Sequence, residues 1–307
     1  MAKYYLSRGD KGIPVKFLQT NLKTLGYNIV VDGSFGPATE KVVKQFQKDN
    51  KLIVDGYAGP QTQKKILDLL LTKGIFNIML DPGHGAGKAY NRGALYYNEG
   101  DNNFNYALVL KEELETYQGV VVNLTRNKIT DNPDLAERSL MGHGHHLFLS
   151  LHSNGYKDSN VRGTEVYDSI EKPNKKLAAE LCKNIAATFA HPNRGVKYKK
   201  NSVGKNWYGV LRDNQAQSAM IIEHGFHTNP EDCRFFLNNH KAIAKVTAET
   251  IAKHYGLKKK ATVQQSKVSS DGFLYKVQVG AFRNRKNAEK LEQELKNKGY
   301  DAFIKKE

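Results

Sequence analysis

Residues 141–154 read MGHGHHLFLSLHSN. Four histidines crowd this stretch, and the apolar run LFLSL (147–151) divides them: His143, His145 and His146 stand before it and His152 after it. A short apolar run between polar flanks suits a buried strand. Two further runs have the same form. FNIML (76–80) leads into DPGHG (81–85), and AMII (219–222) leads into EHGFHTN (223–229). Between them lie stretches with helical spacing; Phe104, Ala107, Leu108 and Leu114 predict one face of a helix from about Asn102 to Tyr117. This alternation predicts an α/β domain over residues 75–256, a twisted, mainly parallel sheet flanked by helices. In open α/β sheets, ligands bind beyond the carboxyl ends of the strands. His84, His152 and Glu223 each stand within a few residues of such an end.

Glu99, in YYNEGDNN just before the predicted helix, can reach across those strand ends. Two histidines and one carboxylate form a common catalytic zinc shell. Zinc lowers the pKa of water and polarises carbonyl oxygens. A second carboxylate is then needed to move protons, and Glu223 is available. Singly, each residue also has a plain reading. A loop histidine often has no special role, a glutamate near a helix start is favoured by the helix dipole, and Glu223 could pair with an arginine. Joint placement at strand ends favours a site. A strand rises roughly 3.3 Å per residue, so His146 and His152 should lie about 20 Å apart. They cannot share a metal, so the three crowded histidines are expected to be bystanders. His191, His240 and His254 are expected on polar, solvated surfaces.

The two ends are organised differently. VDGSFGPAT (31–39) and VDGYAGPQT (54–62) form an internal repeat. Asp-Gly marks a turn, and Pro is tolerated at the first position of a helix. Val15, Leu18, Leu22 and Leu25 mark an amphipathic helix before the first copy. Val42, Val43 and Phe46 follow that copy, and Ile66, Leu69 and Leu70 follow the second, predicting three short helices over residues 1–72. LKKKATVQQSKVSSDG (257–272) reads as a flexible linker. Beyond it, over 273–307, Tyr275, Val277 and Val279 alternate as in a strand. Ala288, Leu291 and Leu295 mark a helix, Gly299 fits a helix cap, and Tyr300 to Ile304 begin a second strand.

These motifs carry three resemblances. LSRGDKG, the VxxLQxxLxxLGY pattern at 15–27 and both DGxxGPxT turns resemble the three-helix peptidoglycan-binding domain. YKVQVGAF and AEKLEQELKNKGYDAFI resemble half of a SPOR repeat, a family that binds peptidoglycan glycan. A lone half implies docking elsewhere or a sheet completed by a second chain. DPGHG, the glutamate before a helix, SLHSN and IIEHGFHTNPED occur in the order of the zinc-dependent N-acetylmuramoyl-L-alanine amidases. That resemblance implies Zn2+ held by His84, Glu99 and His152, with Glu223 as the catalytic glutamate. The substrate would be the amide between N-acetylmuramic acid and L-alanine of the stem peptide. VNLTR and LAERSLMG also fit, with Arg126 and Arg138 as structural or positioning residues. His224 and His227 stand where the family is usually apolar, and His227 is the better placed to support a ligand.

The formal net charge is +16. Residues 1–72 carry 11 basic and 6 acidic residues, and 257–307 carry 13 and 6, so most of the excess sits in the ends. Such ends suit an anionic wall; a nucleic-acid partner is disfavoured because no recognition motif accompanies the charge. Cys182 and Cys233 are too few for a disulfide framework and read as buried thiols. No apolar run is long enough to span a membrane, and MAKYYLSRGDKGI has no secretory apolar region. The expectation is synthesis in the cytoplasm and action on the wall after release, as for a phage endolysin or a lytic enzyme freed with its cell. Two other readings remain open: a zinc peptidase cutting within the stem peptide, and a wall-binding protein without activity.

Overall fold

The computed structural model describes residues 5–85, 93–188, 190–261, 280–282, 284–297 and 303–304. Residues up to Lys260 form one compact unit and Ala261–Glu307 a second. In the second, a helix over Arg285–Asn297 occupies the expected place. The strand expected at 275–279, the cap at Gly299, the linker beyond 261 and the start of the last strand lie outside the described residues.

The first unit begins with three helices, α1 (Ile13–Thr24), α2 (Pro37–Asp49) and α3 (Pro60–Thr72). Pro37 and Pro60 open α2 and α3 after extended glycines, where a missing N–H and a fixed φ cost nothing. The repeated turns are held by the same knot, tied twice. Gln19 donates its amide to Asp32 Oδ1 (2.8 Å), the Ser34 carbonyl and Thr39 Oγ1 (both 3.1 Å), and accepts from the Gly33 N–H at 2.8 Å. Gln47 repeats this with Asp55 (2.7 Å), Tyr57 (3.0 Å), Thr62 (3.1 Å) and the Gly56 N–H (2.9 Å). Each buried amide is thereby saturated, which a buried polar group requires. Val15, Leu18, Leu22, Val43, Phe46, Ile66 and Leu70 fill the space between the helices.

The sheet follows, with strands β1 (Phe76–Pro82), β2 (Val120–Leu124), β3 (Leu147–Asn154), β4 (Thr164–Asp168), β5 (Asn193–Lys197) and β6 (Ser218–Phe226) in the order β2-β1-β3-β6-β4-β5. Every pairing is parallel except β4 against β6. The sheet is thus mixed, with one antiparallel pairing, and mainly parallel as expected. β1 and β6 are buried throughout, which explains why they read as continuous apolar runs rather than alternating ones. The helices are α4 (Glu99–Leu114), α5 (Leu135–Leu140), α6 (Lys175–Thr188), α7 (Gly209–Arg212), α8 (Pro230–Asn238) and α9 (His240–Tyr255). Leu80, Leu149, Leu151 and Ile222 pack with residues of α4, α6 and α9 on one face. Met79, Phe148, Ala219 and Ile221 pack with Val210 and Leu211 on the other.

Three details differ from the sequence reading. The helix starts at Glu99 rather than near Asn102, because the Asn98 side chain caps it by accepting from the Asp101 N–H. Leu108 is exposed and Leu110 takes its place in the core, since the buried stripe also contains Asn103 and Tyr106. His191 was expected in solvent and is instead buried, between Thr164 Oγ1 (2.6 Å) and Asp232 Oδ1 (3.3 Å).

The three crowded histidines form the seam between α1, α3 and the sheet. Each is 1% exposed. His146 Nδ1 accepts from the Asn77 N–H at 2.9 Å, so its Nε2 carries the proton and donates to the Leu67 carbonyl at 2.9 Å. His145 meets the Phe17 ring edge-on at 4.6 Å and lies 3.1 Å from the Asn123 amide. Gly144 has φ +77, and its carbonyl accepts from Asn21 Nδ2 at 3.0 Å; a side chain here would be strained and would strike that amide. The seam sits at the amino ends of the strands, one strand length from His152.

Burial pushes His143 and His145 down to about 4, since it disfavours the cation. Unfolding returns them to about 6.5, so the unfolded chain binds more protons below that pH. Stability should therefore be full above about pH 6.5 and fall as pH drops toward 4. Urea midpoints measured from pH 7.5 to 4.5 test this, and His145→Phe should flatten the slope. A midpoint independent of pH over that range would refute the neutral, buried state.

Candidate active site

β1 ends in Asp81 and Pro82, and the chain then turns through Gly83, His84 and Gly85. His84 holds φ 62, a left-handed conformation uncommon outside glycine and often found where a site needs a side chain aimed. Gly83 is required by contact: a Cβ there would lie 2.2 Å from His152 Cε1 and Nε2. β3 delivers His152, and α4 delivers Glu99 across the strand ends. His84 Nε2 lies 3.2 Å from Glu99 Oε2, and His152 Nδ1 lies 3.0 Å from Glu99 Oε1. One donor atom from each of the three residues lies within 4.8 Å of the others. The structure therefore brings together all three residues expected as ligands.

Glu99 is fully buried. Burial pushes its carboxyl up, but the hydrogen bonds and charges of His152 and His84 outweigh this and hold it well below the usual range. His152 is pushed down by its own burial, against the pull of Glu99. An ionised carboxylate beside imidazoles is a donor set suited to a divalent cation. The Ser153 N–H donates to Glu99 Oε1 at 3.1 Å. His227 Nδ1 donates to the Ser153 carbonyl at 2.7 Å and stands 3.7 Å from Glu99 Oε2, too far for a hydrogen bond to that carboxylate. His224 packs against Tyr106 and Phe236, away from Glu99.

Glu223 enters from β6, opposite His152 in register. It is buried, and its Oε2 meets no hydrogen-bond partner among the described residues. Burial, reinforced by the charges of Glu99 and Glu165, pushes this carboxyl well above its usual range. Glu165 on β4 is the register partner of Glu223. Asn154 (2.6 Å) and Tyr167 (3.0 Å) donate to its Oε1 and Arg194 (2.9 Å) to its Oε2. Sequence reasoning missed Glu165; the signal was a carboxylate inside TEVYD, a stretch that otherwise alternates as a strand.

The chain matches the family described as N-acetylmuramoyl-L-alanine amidase over residues 78–253, which contains every residue of this site. It belongs to the N-acetylmuramoyl-L-alanine amidase family. Residues 11–66 match a peptidoglycan binding domain and residues 246–306 a SPOR domain. Similar proteins include N-acetylmuramoyl-L-alanine amidase CwlM of Bacillus licheniformis, 29% identical over 237 residues (74% of this chain and 83% of that protein). The sporulation-specific N-acetylmuramoyl-L-alanine amidase of Bacillus subtilis (strain 168) is 26% identical over 235 residues, with the same two shares. Among solved structures, Cwp6 from Clostridium difficile aligns with TM-score 0.53 and 27% identity; the match covers 58% of this chain and 29% of that one. The catalytic domain of CwlV from Bacillus (Paenibacillus) polymyxa var. colistinus aligns with TM-score 0.53 and 23% identity over 60% of this chain and all of the domain, a likeness of fold. The amidase is a peptidoglycan hydrolase, and no helix among the described residues is long and apolar enough to cross a membrane.

Beneath the cluster of His84, Glu99 and His152 lies a buried ion pair. Arg138 Nε and Nη2 donate to Asp81 Oδ1 (2.7 Å) and Oδ2 (2.6 Å), and Thr125 (2.7 Å) and Ser150 (2.6 Å) complete the carboxylate. Burial pushes Asp81 up, yet Arg138 and the two hydroxyls bring it down to about 2. Arg126, fully buried, donates to the Gly100 carbonyl at 2.7 Å and lies over Phe104, fixing the start of α4. Both arginines are thus structural, as expected. Asp81→Ala leaves Arg138 buried without its partner and should cost about 3–5 kcal/mol, measured by urea unfolding at pH 7. A loss below about 1 kcal/mol, the range of exposed pairs, would show that the pair does not hold the site.

Proposed function

We propose that His84, Glu99 and His152 hold a zinc ion and that Glu223 is the proton carrier in hydrolysis of the amide between N-acetylmuramic acid and L-alanine. The observation that carries this is the convergence of two imidazoles on one buried carboxylate, with the Glu223 carboxyl opposite His152. The donor set fits zinc: two nitrogens, one oxygen and a second carboxylate left over. Bound there, zinc would supply Lewis acidity toward the scissile carbonyl and toward water. Glu223 takes the proton of the attacking water at its Oε2 and gives it to the departing alanine nitrogen. Its surroundings suit that double role, because burial makes the Glu223 carboxylate a stronger base toward water, and the proton it then holds is available to the leaving nitrogen. Gly83 lets the His152 ring sit against the turn, and the Ser153 N–H keeps Glu99 aimed, while His227 holds the Ser153 carbonyl.

The proposed division of labour assigns residues 1–72 to wall binding, 75–256 to catalysis, 257–272 to a linker and 273–307 to a SPOR-type half repeat. The basic ends suit anionic wall polymers. Digestion of purified wall tests the scissile bond: new free amino groups should appear on L-alanine with intact sugars. New amines only inside the stem peptide would instead support a peptidase, and binding without cleavage a non-catalytic protein.

Substitutions test the roles. Glu223→Gln should keep zinc and lose turnover by about two to four orders of magnitude, the usual worth of a positioned proton carrier. Near-normal lysis by that variant would remove Glu223 from the mechanism. His84→Ala and His152→Ala should lose both metal and activity, and stoichiometric zinc in either, by elemental analysis, would count against the ligand set.

A further inference from the structure

A row of aromatic side chains shares the face of the sheet that bears Glu223. Tyr167 follows Glu165 on that face, two residues along β4, and gives its hydroxyl to Glu165. Its ring meets Tyr208 edge-on at 4.9 Å. Lys199 Nζ lies over both Tyr208, at 5.6 Å, and Trp207, at 4.9 Å. The row thus leads from the neighbour of Glu223 to the surface, where Trp207 is 53% exposed.

The surrounding loop is built to hold this position. The Trp207 N–H donates to the Lys199 carbonyl at 2.8 Å, and Lys200 bridges to Asn206. Asn201 Oδ1 accepts from the N–H groups of Val203 (3.1 Å) and Lys205 (3.0 Å) inside the turn. Asn206 is buried and bonds Ile170 (2.9 Å), Ser169 (3.1 Å) and Glu171, stapling the loop to the segment after β4. Arg212 Nη1 donates to the carbonyls of Asn206 (3.1 Å) and Trp207 (3.0 Å). An indole fixed by its backbone on both sides and open to water offers a large contact surface at low conformational cost.

We propose that Trp207, with Tyr208 and Lys199, forms a subsite for an N-acetylated hexosamine ring of the glycan strand, beside the sugar that carries the scissile amide. The proposal rests on the amidase reading. The C–H face of a pyranose stacks on an aromatic ring, while its hydroxyl and acetyl oxygens accept from an ammonium such as Lys199. The other side of the scissile bond carries an acidic stem peptide. Glu165 is paired with Arg194 at 2.9 Å and Glu171 bonds Asn206, while Lys199, Lys200 and Lys205 make the loop basic, so charge does not choose between the two. The exposed indole face, which suits the C–H face of a pyranose, makes the sugar strand the occupant.

The chain has one tryptophan, so indole fluorescence reports on this position alone, wherever else on the protein glycan binds. The full-length protein is titrated with a peptide-free tetrasaccharide of alternating N-acetylglucosamine and N-acetylmuramic acid, and separately with free stem peptide. A saturable spectral shift with the tetrasaccharide and none with the peptide is expected. A shift with the peptide alone, or with neither, overturns the proposal. Neither ligand contains the scissile bond, so this result stands apart from the amidase reading, which fails only if wall digestion yields no new L-alanine amines. Kinetics give a second reading. Trp207→Ala should raise KM on long glycan strands about fivefold, the size of an aromatic contact, with kcat within about twofold. KM on N-acetylmuramoyl-peptide, which lacks neighbouring sugars, should not change, and Trp207→Phe should recover part of the loss. An equal rise on both substrates would also overturn the subsite.

Discussion

Everything at the active end of this protein hangs on the carboxylate of Asp81. It lies at the last buried turn of β1, and its two oxygens take four hydrogen bonds from three directions. Those donors come from β3, from the segment after β2 and from α5. A fully satisfied buried network of this kind specifies one arrangement, because any other leaves a charge unpaired in a medium of low dielectric. Gly83 and His84 follow it directly. The turn that aims His84 therefore starts two residues beyond a carboxylate held by four hydrogen bonds. Arg126 does the same for α4, so that Glu99 begins a helix whose first turn is fixed from below.

The sequence made much of this legible. The apolar runs at 76–80, 147–151 and 219–222 mark strands that are buried on both faces, and polar residues follow each run because the sheet ends there. From that placement alone His84, His152 and Glu223 fall on one edge, and the structure brings them together with Glu99. Local signals served less well where a partner distant in sequence decides burial. His146 looks like a wet loop residue until the Leu67 carbonyl, 79 positions away, accepts its hydrogen bond. His191 depends in the same way on Thr164 and Asp232. Glu165 gave a weak signal, since one carboxylate in a short alternating strand reads as its solvated side.

The repeat in the helical module shows the opposite case. Asp-Gly and Gly-Pro-Thr were readable as turn and helix start, yet the residue that binds each turn into a unit is a glutamine in the preceding helix. Gln19 and Gln47 each saturate an amide on an aspartate, a carbonyl, a threonine and a glycine N–H. Spacing within a nine-residue motif cannot reveal a partner in the helix before it. Turn chemistry and helix chemistry are one constraint here, written in two places.

The histidine seam also fixes how the module can act. A wall-holding module on a slack tether raises the local concentration of substrate over every distance within its reach. Here α1 and α3 are locked to the amino ends of the strands by buried polar contacts. The helices therefore cannot swing against the sheet without stripping those groups of their partners, and the module is fastened to the strands as a bracket rather than hung from a leash.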